Sequence, residues 1–260
     1  MFSDIENVLK NKSVFVFDLD GVVFLGEEPI LSSVKFIQAA RSSKRRVFFL
    51  TNNSSSDEPQ LRGKLEKMGL DVDEGSIFSP LIVLPDFLKN KFPHSDKVYI
   101  VGNDQIKNRL NLNGFNVVPH WDAELLAIAM CSNFGIDILN ISANLLRNGV
   151  PTVACNRDPC FPVAEKVFNA GCGALVKAIE VAAEREVWHT VGKPEAYIID
   201  ILCRNLDCPK DQVLVFGDRF ESDILMAKNA GIEGVLLSDS QSHDGEVLRV
   251  GSLAQILHLL

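Results

Sequence analysis

The sequence predicts an α/β fold with a doubly wound parallel sheet and a smaller, inserted α/β domain. Residues 14 to 17, VFVF, form a continuous apolar run that ends at Asp18, a pattern typical of a strand buried on both faces of a parallel sheet. Similar apolar strands recur along the chain and alternate with segments of helical spacing. The length of 260 residues fits one large domain, or two domains with one inserted in the other.

Composition excludes several classes of protein. Hydrophobic residues make up 47% and charged residues 23%, which is typical of a globular chain with a large core. A net charge of -8 argues against a nucleic-acid or membrane-surface partner. The first residues, MFSDIENVLKNK, lack the basic end and apolar run of a signal peptide, and we expect a cytoplasmic protein.

The 6 cysteines contain no CxxC pair, which indicates neither a zinc site nor a disulfide framework. We expect them to be buried or inert thiols.

The first strand brings two acids to one place. A buried parallel strand delivers Asp18 to the carboxyl edge of the sheet, where open α/β sheets bind ligands. Asp20 follows two residues later, and like charges so close favour neutralisation unless a cation offsets them. A divalent metal is the simplest such cation. The alternative is an Asp-Gly turn whose acids do no chemistry.

The next strand ends in hydroxyl and amide side chains. After a helix predicted at 31 to 43, the apolar residues 47 to 50 lead into Thr51, Asn52 and Asn53 before a second helix at about 57 to 69. Such a loop suits a phosphate group. Alternatively, Asn53 and the serines cap the second helix, and this is the interpretation that we favour for residues 54 to 56.

A second series of strands and helices begins near residue 80 and predicts an inserted domain rather than a loop. Its last clear strand ends at Asn156, Arg157 and Asp158, which either face a ligand or form a polar turn before Pro159. The expected elements are helices at 80 to 90, 103 to 113, 135 to 148 and 171 to 184, and strands at 97 to 102, 123 to 131 and 150 to 156.

The first series resumes with a short strand at 187 to 191, on which we expect His189 to be a packed core residue. Lys193 then lies in a Gly-Lys-Pro turn before a helix at 195 to 206. A helix N-terminus disfavours a cation, so this lysine requires an anionic partner.

The last strong pattern is DQVLVFGDRFESD. Its strand, 213 to 216, is followed by Asp218 and, in the first turns of the next helix, by Asp223. Acidic residues therefore follow this strand at the carboxyl edge of the sheet, as they do the first strand. A core strand at 231 to 237 and an amphipathic closing helix complete the expected fold.

Taken together, the four strand ends resemble the four motifs of the haloacid dehalogenase superfamily of phosphohydrolases. The matching segments are DLDG at 18 to 21, TNN at 51 to 53, GKP at 192 to 194 and GDRFESD at 217 to 223. The GKP and GDR forms and the long insertion are similar to the NagD-like (4-nitrophenylphosphatase) subfamily, which has a large α/β cap. The resemblance implies a core domain of residues 1–79 and 185–260 and a cap domain of residues 80–184.

The resemblance also implies the chemistry. Asp18 is the expected nucleophile, and Asp20 is the expected acid and base that protonates the leaving oxygen and then activates water. Mg²⁺ is expected on the Asp18 carboxylate, the Asp20 backbone carbonyl and Asp218. Thr51, Asn52 and Lys193 are expected to hold the phosphoryl group, and Asp223 to support Lys193 or a metal-bound water. The remaining expected substrate-binding residues are Gly21, Asn53, Asn156, Arg157 and Asp158.

The expected substrate is a small phosphorylated metabolite, such as phosphoglycolate, pyridoxal phosphate, a nucleoside monophosphate or a sugar phosphate. A homodimer is a further expectation from the subfamily. Two alternatives remain open: a phosphomutase that returns the phosphoryl group to a sugar, and a receiver-type switch whose phosphorylated aspartate signals by conformational change. A dehalogenase is disfavoured because it has no need of an acid at Asp20.

Overall fold

The computed structural model describes residues 2–164, 167–238 and 247–260. The chain forms two compact units. The first unit comprises Met1–Thr51, Glu58–Phe78 and Lys193–Leu260, and the second comprises Asn52–Asp57 and Ser79–Gly192. The predicted fold class is confirmed: each unit has its own parallel sheet, and the second unit interrupts the first along the chain.

The helices are, in chain order, α1 (Phe2–Asn11), α2 (Leu31–Ser42), α3 (Glu58–Lys67), α4 (Pro80–Lys91), α5 (Asp104–Leu112), α6 (Ile136–Arg147), α7 (Cys172–Ala183), α8 (Tyr197–Leu206) and α9 (Leu225–Ala230). The strands are β1 (Val14–Asp18), β2 (Phe24–Leu25), β3 (Glu28–Pro29), β4 (Arg46–Leu50), β5 (Ile77–Phe78), β6 (Lys97–Val101), β7 (Asn116–Val117), β8 (Leu125–Ile128), β9 (Thr152–Ala154), β10 (Cys160–Ala164), β11 (Val167–Ala170), β12 (His189–Thr190), β13 (Val213–Gly217), β14 (Glu233–Leu237) and β15 (Leu248–Val250). Short 3₁₀ segments cover His120–Asp122, Lys210–Gln212 and Leu253–Leu259, and a π-helical turn covers Phe220–Ile224.

The main sheet of the first unit is parallel and has six strands in the described part of the chain, in the order β15-β14-β13-β1-β4-β5. β1 lies between β13 and β4, and all five of its residues are buried. Its continuous apolar sequence is thus explained by neighbours on both sides and cover on both faces.

A cluster of four phenylalanines fixes α2 against this sheet. Phe15 and Phe17 project from the same face of β1 because side chains two residues apart share a face. They contact Phe216 of β13 and Phe36 of α2, with ring centroids between 4.7 and 6.4 Å apart. All four side chains are fully buried. The cluster therefore sets the position of β1, which ends at Asp18, and of β13, which Asp218 follows.

The second unit has a parallel sheet of five strands among the described residues, in the order β12-β9-β8-β6-β7. His189 of β12 packs against the rings of Phe87 and Phe92, with centroid distances of 5.7 and 6.0 Å. An antiparallel hairpin, β10 and β11, follows β9.

Two expectations from the sequence are corrected here. The strand predicted at 187 to 191 was assigned to the first series, but β12 pairs with β9 in the sheet of the second unit. A two-residue strand carries no periodicity from which its sheet could be inferred. The closing helix is a 3₁₀ segment, Leu253–Leu259, rather than a regular amphipathic α-helix.

Several short elements were not predicted from the sequence. They are α1, the two hairpins β2–β3 and β10–β11, and the edge strands β5, β7 and β15. Among the predicted buried cysteines, Cys131, Cys155, Cys172 and Cys203 are buried, whereas Cys160 is exposed and Cys208 is partly exposed.

Among the described residues, no helix has the length and hydrophobicity that crossing a bilayer requires.

We predict that Phe36→Ala lowers the free energy of unfolding by about 3–5 kcal/mol, because it leaves a cavity in the phenylalanine cluster. Urea titration followed by circular dichroism measures this change. Leu31→Ala is the matched control on the same helix: Leu31 is 66% exposed, and we expect a change within about 0.5 kcal/mol. Equal effects of the two substitutions would contradict the role given to the cluster.

Candidate active site

Three neighbouring parallel strands of the first unit end at the same edge of its sheet. β1 ends at Asp18, which is in register with Leu50, the last residue of β4. Thr51 follows β4, and Asp218 follows β13, whose Phe216 is in register with Phe17. The predicted convergence of Asp18, Thr51 and Asp218 at the carboxyl edge is therefore present in the structure.

The carboxylates of Asp18, Asp218 and Asp223 form a cluster in which one oxygen of each lies within 4.8 Å of the others. Asp18 and Asp223 are buried, and Asp218 is partly buried. The ammonium group of Lys193, which is also buried, lies 2.7 Å from Asp18 Oδ1 and 2.6 Å from Asp223 Oδ1. The anionic partner that the sequence required for Lys193 is thus a pair of aspartates.

Burial is the largest influence on the pKa values in this cluster, and the neighbouring charges modify it. Burial raises the pKa of Asp18 well above its ordinary value, the nearby Asp223 carboxylate adds to the rise, and Lys193 opposes it. Burial also raises the pKa of Asp218 to about 6, again with a contribution from Asp223. Burial by itself lowers the pKa of Lys193, but Asp18 and Asp223 outweigh this effect and raise it above its ordinary value. Lys193 is therefore a permanent cation among the three acids.

The residues of this cluster fit a divalent cation. Three carboxylates face a single ammonium group, so one positive charge does not balance them. Asp218 Oδ1 is buried and has no hydrogen-bond partner among the described residues, although buried oxygens of this kind are normally satisfied. Clustered carboxylate oxygens are the ligands that hard cations such as Mg²⁺ prefer. A cation would both satisfy Asp218 and lower the cost of burying Asp18 in its charged form.

Asp20 lies on the turn after β1. The side chain of Asp20 is exposed, and its backbone forms a bridge with Phe24. The backbone N–H of Gly21 donates to the carbonyl oxygen of Phe24 at 2.8 Å. An acid in this position remains in contact with solvent and can exchange protons.

The structure explains why residue 21 is a glycine, which the DLDG motif alone does not. Its φ angle is +86°, and a Cβ atom at this position would lie 2.2 Å from Asp218 Oδ2. The absence of a side chain lets the backbone of the first motif approach the acid of the fourth.

Asp223 is held on both carboxylate oxygens. Its Oδ1 accepts from Lys193, and its Oδ2 accepts from the backbone N–H of Arg219 at 3.0 Å. It lies in the π-helical turn Phe220–Ile224, and a Cβ atom on Gly217 would lie 2.2 Å from the Asp223 Cβ. The sequence indicated Asp223 but neither the π-helical turn nor the requirement for glycine at 217. Local π-helical turns occur frequently at functional sites.

Thr51 is buried, and its backbone N–H donates to the carbonyl oxygen of Phe78 at 3.0 Å. Its position at the end of β4 is fixed by pairing with β1 on one side and β5 on the other.

Other predicted site residues lie in the second unit, where they contact one another. Asn52 Nδ2 donates to Asp158 Oδ2 at 2.9 Å, and Asn156 Nδ2 donates to the backbone oxygen of Asn52 at 2.7 Å. Asn53 Oδ1 accepts from the backbone N–H groups of Ser55 and Ser56. The Asn53 side chain therefore caps a turn within residues 53 to 56, whereas α3, the helix that the alternative interpretation expected it to cap, begins only at Glu58.

Arg157 contacts residues that the sequence did not indicate. Its Nη2 donates to Glu180 Oε1 at 2.8 Å, and its Nε donates to Thr190 Oγ1 at 3.0 Å. Glu180 is buried and also accepts from the backbone N–H of Val187 at 3.0 Å. The sequence signal for this ion pair is an acid, Glu180, in a helix whose other residues are apolar or small apart from Lys177.

The glycine-rich entry of α7 has a packing role. A Cβ atom on Gly171 would lie 2.2 Å from the backbone oxygen of Asp158, and one on Gly173 would lie 2.2 Å from the backbone oxygen of Arg157. Both glycines allow the loop of residues 156 to 158 to lie directly against the helix start. The loop is therefore held by backbone packing as well as by hydrogen bonds.

Comparisons with known proteins identify relatives of this chain. Residues 15–116 match a family model described as haloacid dehalogenase-like hydrolase, and residues 190–255 match one described as HAD-hydrolase-like. The sugar-phosphatase AraL of Bacillus subtilis is 29% identical over 89% of this chain and 85% of its own. Phosphoglycolate phosphatase 2 of Arabidopsis thaliana is 26% identical over 96% of this chain and 90% of its own. The p-nitrophenyl phosphatase from Archaeoglobus fulgidus superposes with a TM-score of 0.87, at 25% identity, over 96% of this chain and 100% of that one.

The chain therefore belongs to the haloacid dehalogenase-like hydrolases. Within this superfamily it is a phosphatase similar to NagD and the 4-nitrophenylphosphatases.

We predict that Gly21→Ala lowers kcat/KM by about 10²-fold, because the new methyl group displaces Asp218 from its place in the cluster. Gly69→Ala is the matched control. Gly69 has a φ angle of +84°, almost the same as Gly21, but a Cβ atom there would meet nothing within 4 Å.

Both variants are expected to lose about 1–2 kcal/mol of stability through the left-handed backbone conformation. Activity toward 4-nitrophenyl phosphate and thermal unfolding separate the two effects. A Gly69→Ala variant as inactive as Gly21→Ala would contradict the explanation.

Proposed function

We propose that the protein is a Mg²⁺-dependent phosphatase that hydrolyses small phosphomonoesters through a phosphorylated Asp18. The observation that carries this proposal is the buried cluster of Asp18, Asp218 and Asp223 around Lys193, at the carboxyl edge of the sheet. The phosphatase relatives support the reaction class.

Asp18 is the proposed nucleophile. Its Oδ1 accepts hydrogen bonds from Lys193 and from the backbone N–H of Leu19 at 2.8 Å, which fix the carboxylate. In the first half-reaction a carboxylate oxygen of Asp18 forms a bond to phosphorus while the bond to the leaving oxygen breaks. In the second, water attacks phosphorus and releases inorganic phosphate and the free carboxylate.

Asp20 is the proposed acid and base. It donates a proton to the leaving oxygen in the first half-reaction and accepts a proton from the attacking water in the second. Its exposed position on the turn supports a group that gains and loses protons in each cycle.

Lys193, Thr51 and Asn52 are the proposed partners of the phosphoryl oxygens, where fixed positive charge and hydrogen-bond donors stabilise the transition state. Asp223 is a positioning residue, since it holds Lys193 at 2.6 Å. Mg²⁺, held by the Asp18 carboxylate, the Asp20 backbone carbonyl and Asp218, would offset the charge of the phosphoryl group and of the acids.

The proposal for substrate recognition includes Gly21, Asn53, Asn156, Arg157 and Asp158. The hydrogen bonds of Asn156, Arg157 and Asp158 within the second unit support a preformed loop rather than a mobile one. The proposed substrates are those of relatives and of the subfamily: phosphoglycolate, sugar phosphates, pyridoxal phosphate and nucleoside monophosphates. A cytoplasmic location and a homodimer also belong to this proposal. Measuring kcat/KM for a panel of these metabolites identifies the preferred class.

We predict that Asp18→Asn lowers kcat toward 4-nitrophenyl phosphate by at least about 10⁴-fold, because an amide cannot replace the carboxylate as nucleophile. Chelation by EDTA should abolish the activity, and added Mg²⁺ should restore it. Isothermal titration calorimetry provides a readout independent of turnover: Asp218→Asn should weaken Mg²⁺ binding. Full turnover by Asp18→Asn would exclude the proposed nucleophile.

For Asp20→Asn we predict that a phosphorylated enzyme accumulates, because the asparagine cannot activate water against the phosphorylated Asp18. Intact-mass spectrometry after acid quenching detects the added phosphoryl group. Double substitution with Asp18→Asn should remove this signal. Unaltered turnover by Asp20→Asn would exclude the acid and base role, and a stable phosphorylated wild-type protein would instead favour the receiver-type switch.

A further inference from the structure

A short hairpin follows the turn that carries Asp20. It pairs β2 with β3 in antiparallel register, Phe24 with Pro29 and Leu25 with Glu28, and Gly26 and Glu27 form its two-residue tip. A two-stranded hairpin of this size is marginally stable in water and depends on contacts with the rest of the protein.

The hairpin and Asp20 share backbone hydrogen bonds. Gly21 N donates to Phe24 O at 2.8 Å, and the N–H groups of Val23 and Phe24 donate to Leu19 O at 2.9 and 3.2 Å. Phe24 also forms an isolated bridge with Asp20. A displacement of Phe24 therefore changes the backbone on both sides of Asp20.

Lys64 of α3 contacts both ends of this hairpin. Its Nζ donates to the backbone oxygen of Gly26 at 2.7 Å and to Glu27 Oε1 at 3.0 Å. The same atom lies 4.0 Å from the centroid of the Phe24 ring, within the range of a cation–π interaction. The side chain of Lys64 is 25% exposed, whereas Phe24 is almost completely buried. A single ammonium group thus joins the tip of the hairpin, its first strand and α3.

We propose that Lys64 is a positioning residue that fixes the hairpin and thereby the carboxyl group of Asp20. This inference rests on the proposed function, in which Asp20 transfers the proton. The contact with Glu27 alone would not support it, because Glu27 is 87% exposed and surface ion pairs contribute little. The contacts with the Gly26 carbonyl and the Phe24 ring carry the argument.

The proposal has a specific chemical consequence. In the first half-reaction the P–O bond to the leaving group breaks as the Asp18–phosphorus bond forms, and the proton of Asp20 moves to the departing oxygen. A 4-nitrophenolate ion leaves without that proton, whereas phenolate and alkoxide ions require it. Misplacing Asp20 should therefore slow the hydrolysis of substrates with poor leaving groups and leave the hydrolysis of substrates with good leaving groups almost unchanged.

The experiment compares kcat/KM for 4-nitrophenyl phosphate, phenyl phosphate and glycerol 3-phosphate in wild type and Lys64→Met. This parameter reports the steps up to and including loss of the leaving group. We expect Lys64→Met to lower kcat/KM about tenfold or more for phenyl phosphate and glycerol 3-phosphate, and by less than about twofold for 4-nitrophenyl phosphate. Lys64→Arg, which keeps the charge and the donors, should restore most of the loss.

Lys10→Met is the matched control, since Lys10 also pairs with a glutamate, Glu6 at 2.6 Å, on another helix of the first unit. This substitution should leave kcat/KM unchanged for all three substrates. Circular dichroism verifies that each variant is folded, and Lys64→Gln, whose side chain is shorter by one bond, is the second variant if Lys64→Met does not fold.

Asp20→Asn separates a failure of the inference from a failure of the proposed function. It should show the same dependence on leaving group as Lys64→Met, but more strongly. Suppose that Asp20→Asn shows that dependence. The role proposed for Lys64 is then wrong if Lys64→Met behaves like Lys10→Met, or if it lowers kcat/KM equally for all three substrates. If Asp20→Asn shows none, the proposed acid is wrong.

Discussion

The structure of the site depends on two buried ion pairs that share one cation, those of Lys193 with Asp18 and with Asp223. Removing one partner of such a pair typically costs about 3–5 kcal/mol, because the remaining charge is left buried without compensation. The three residues come from segments far apart in the chain: the end of β1, the residue that starts the last segment of the first unit, and the π-helical turn after β13. The lysine therefore holds together the pieces that carry the chemistry, and it also supplies a fixed positive charge next to the proposed nucleophile.

Close backbone approach is the second constraint on the site. Gly21 and Gly217 each lie where a side chain would collide with an acid, Asp218 in the first case and Asp223 in the second. The strand ends consequently converge more tightly than ordinary side chains would allow. Burial raises the pKa values of Asp18 and Asp218, the charge of Asp223 raises them further, and a divalent cation in this space would offset that charge.

The sequence predicted the central part of the fold because strands buried on both faces have a distinctive composition. β1 and β13 are continuous apolar runs, and parallel strands bring the acids that follow them to one edge. The sequence could not predict contacts that depend on tertiary packing. The contact of Arg157 with Glu180, 23 residues further along the chain, is one of them. Nothing in the sequence distinguishes Lys64 from an ordinary helical lysine, because its contacts depend on the position of the hairpin β2–β3. The prediction that placed β12 in the first series was wrong, because the pairing of a two-residue strand depends on the position of β9 and not on any pattern in its own sequence.

The boundaries between the two compact units fall within the motifs themselves. Thr51 belongs to the first unit and Asn52 to the second, and the chain returns between Gly192 and Lys193. The motif segments at 51 to 53 and 192 to 194 therefore contain the positions at which the chain passes from one unit to the other. An attempt to exchange the inserted domain between relatives would have to transfer residues 52 to 57 with it, because those residues contact the insertion although they precede it by more than twenty positions. Recombination at the apparent start of the insertion would divide a compact unit.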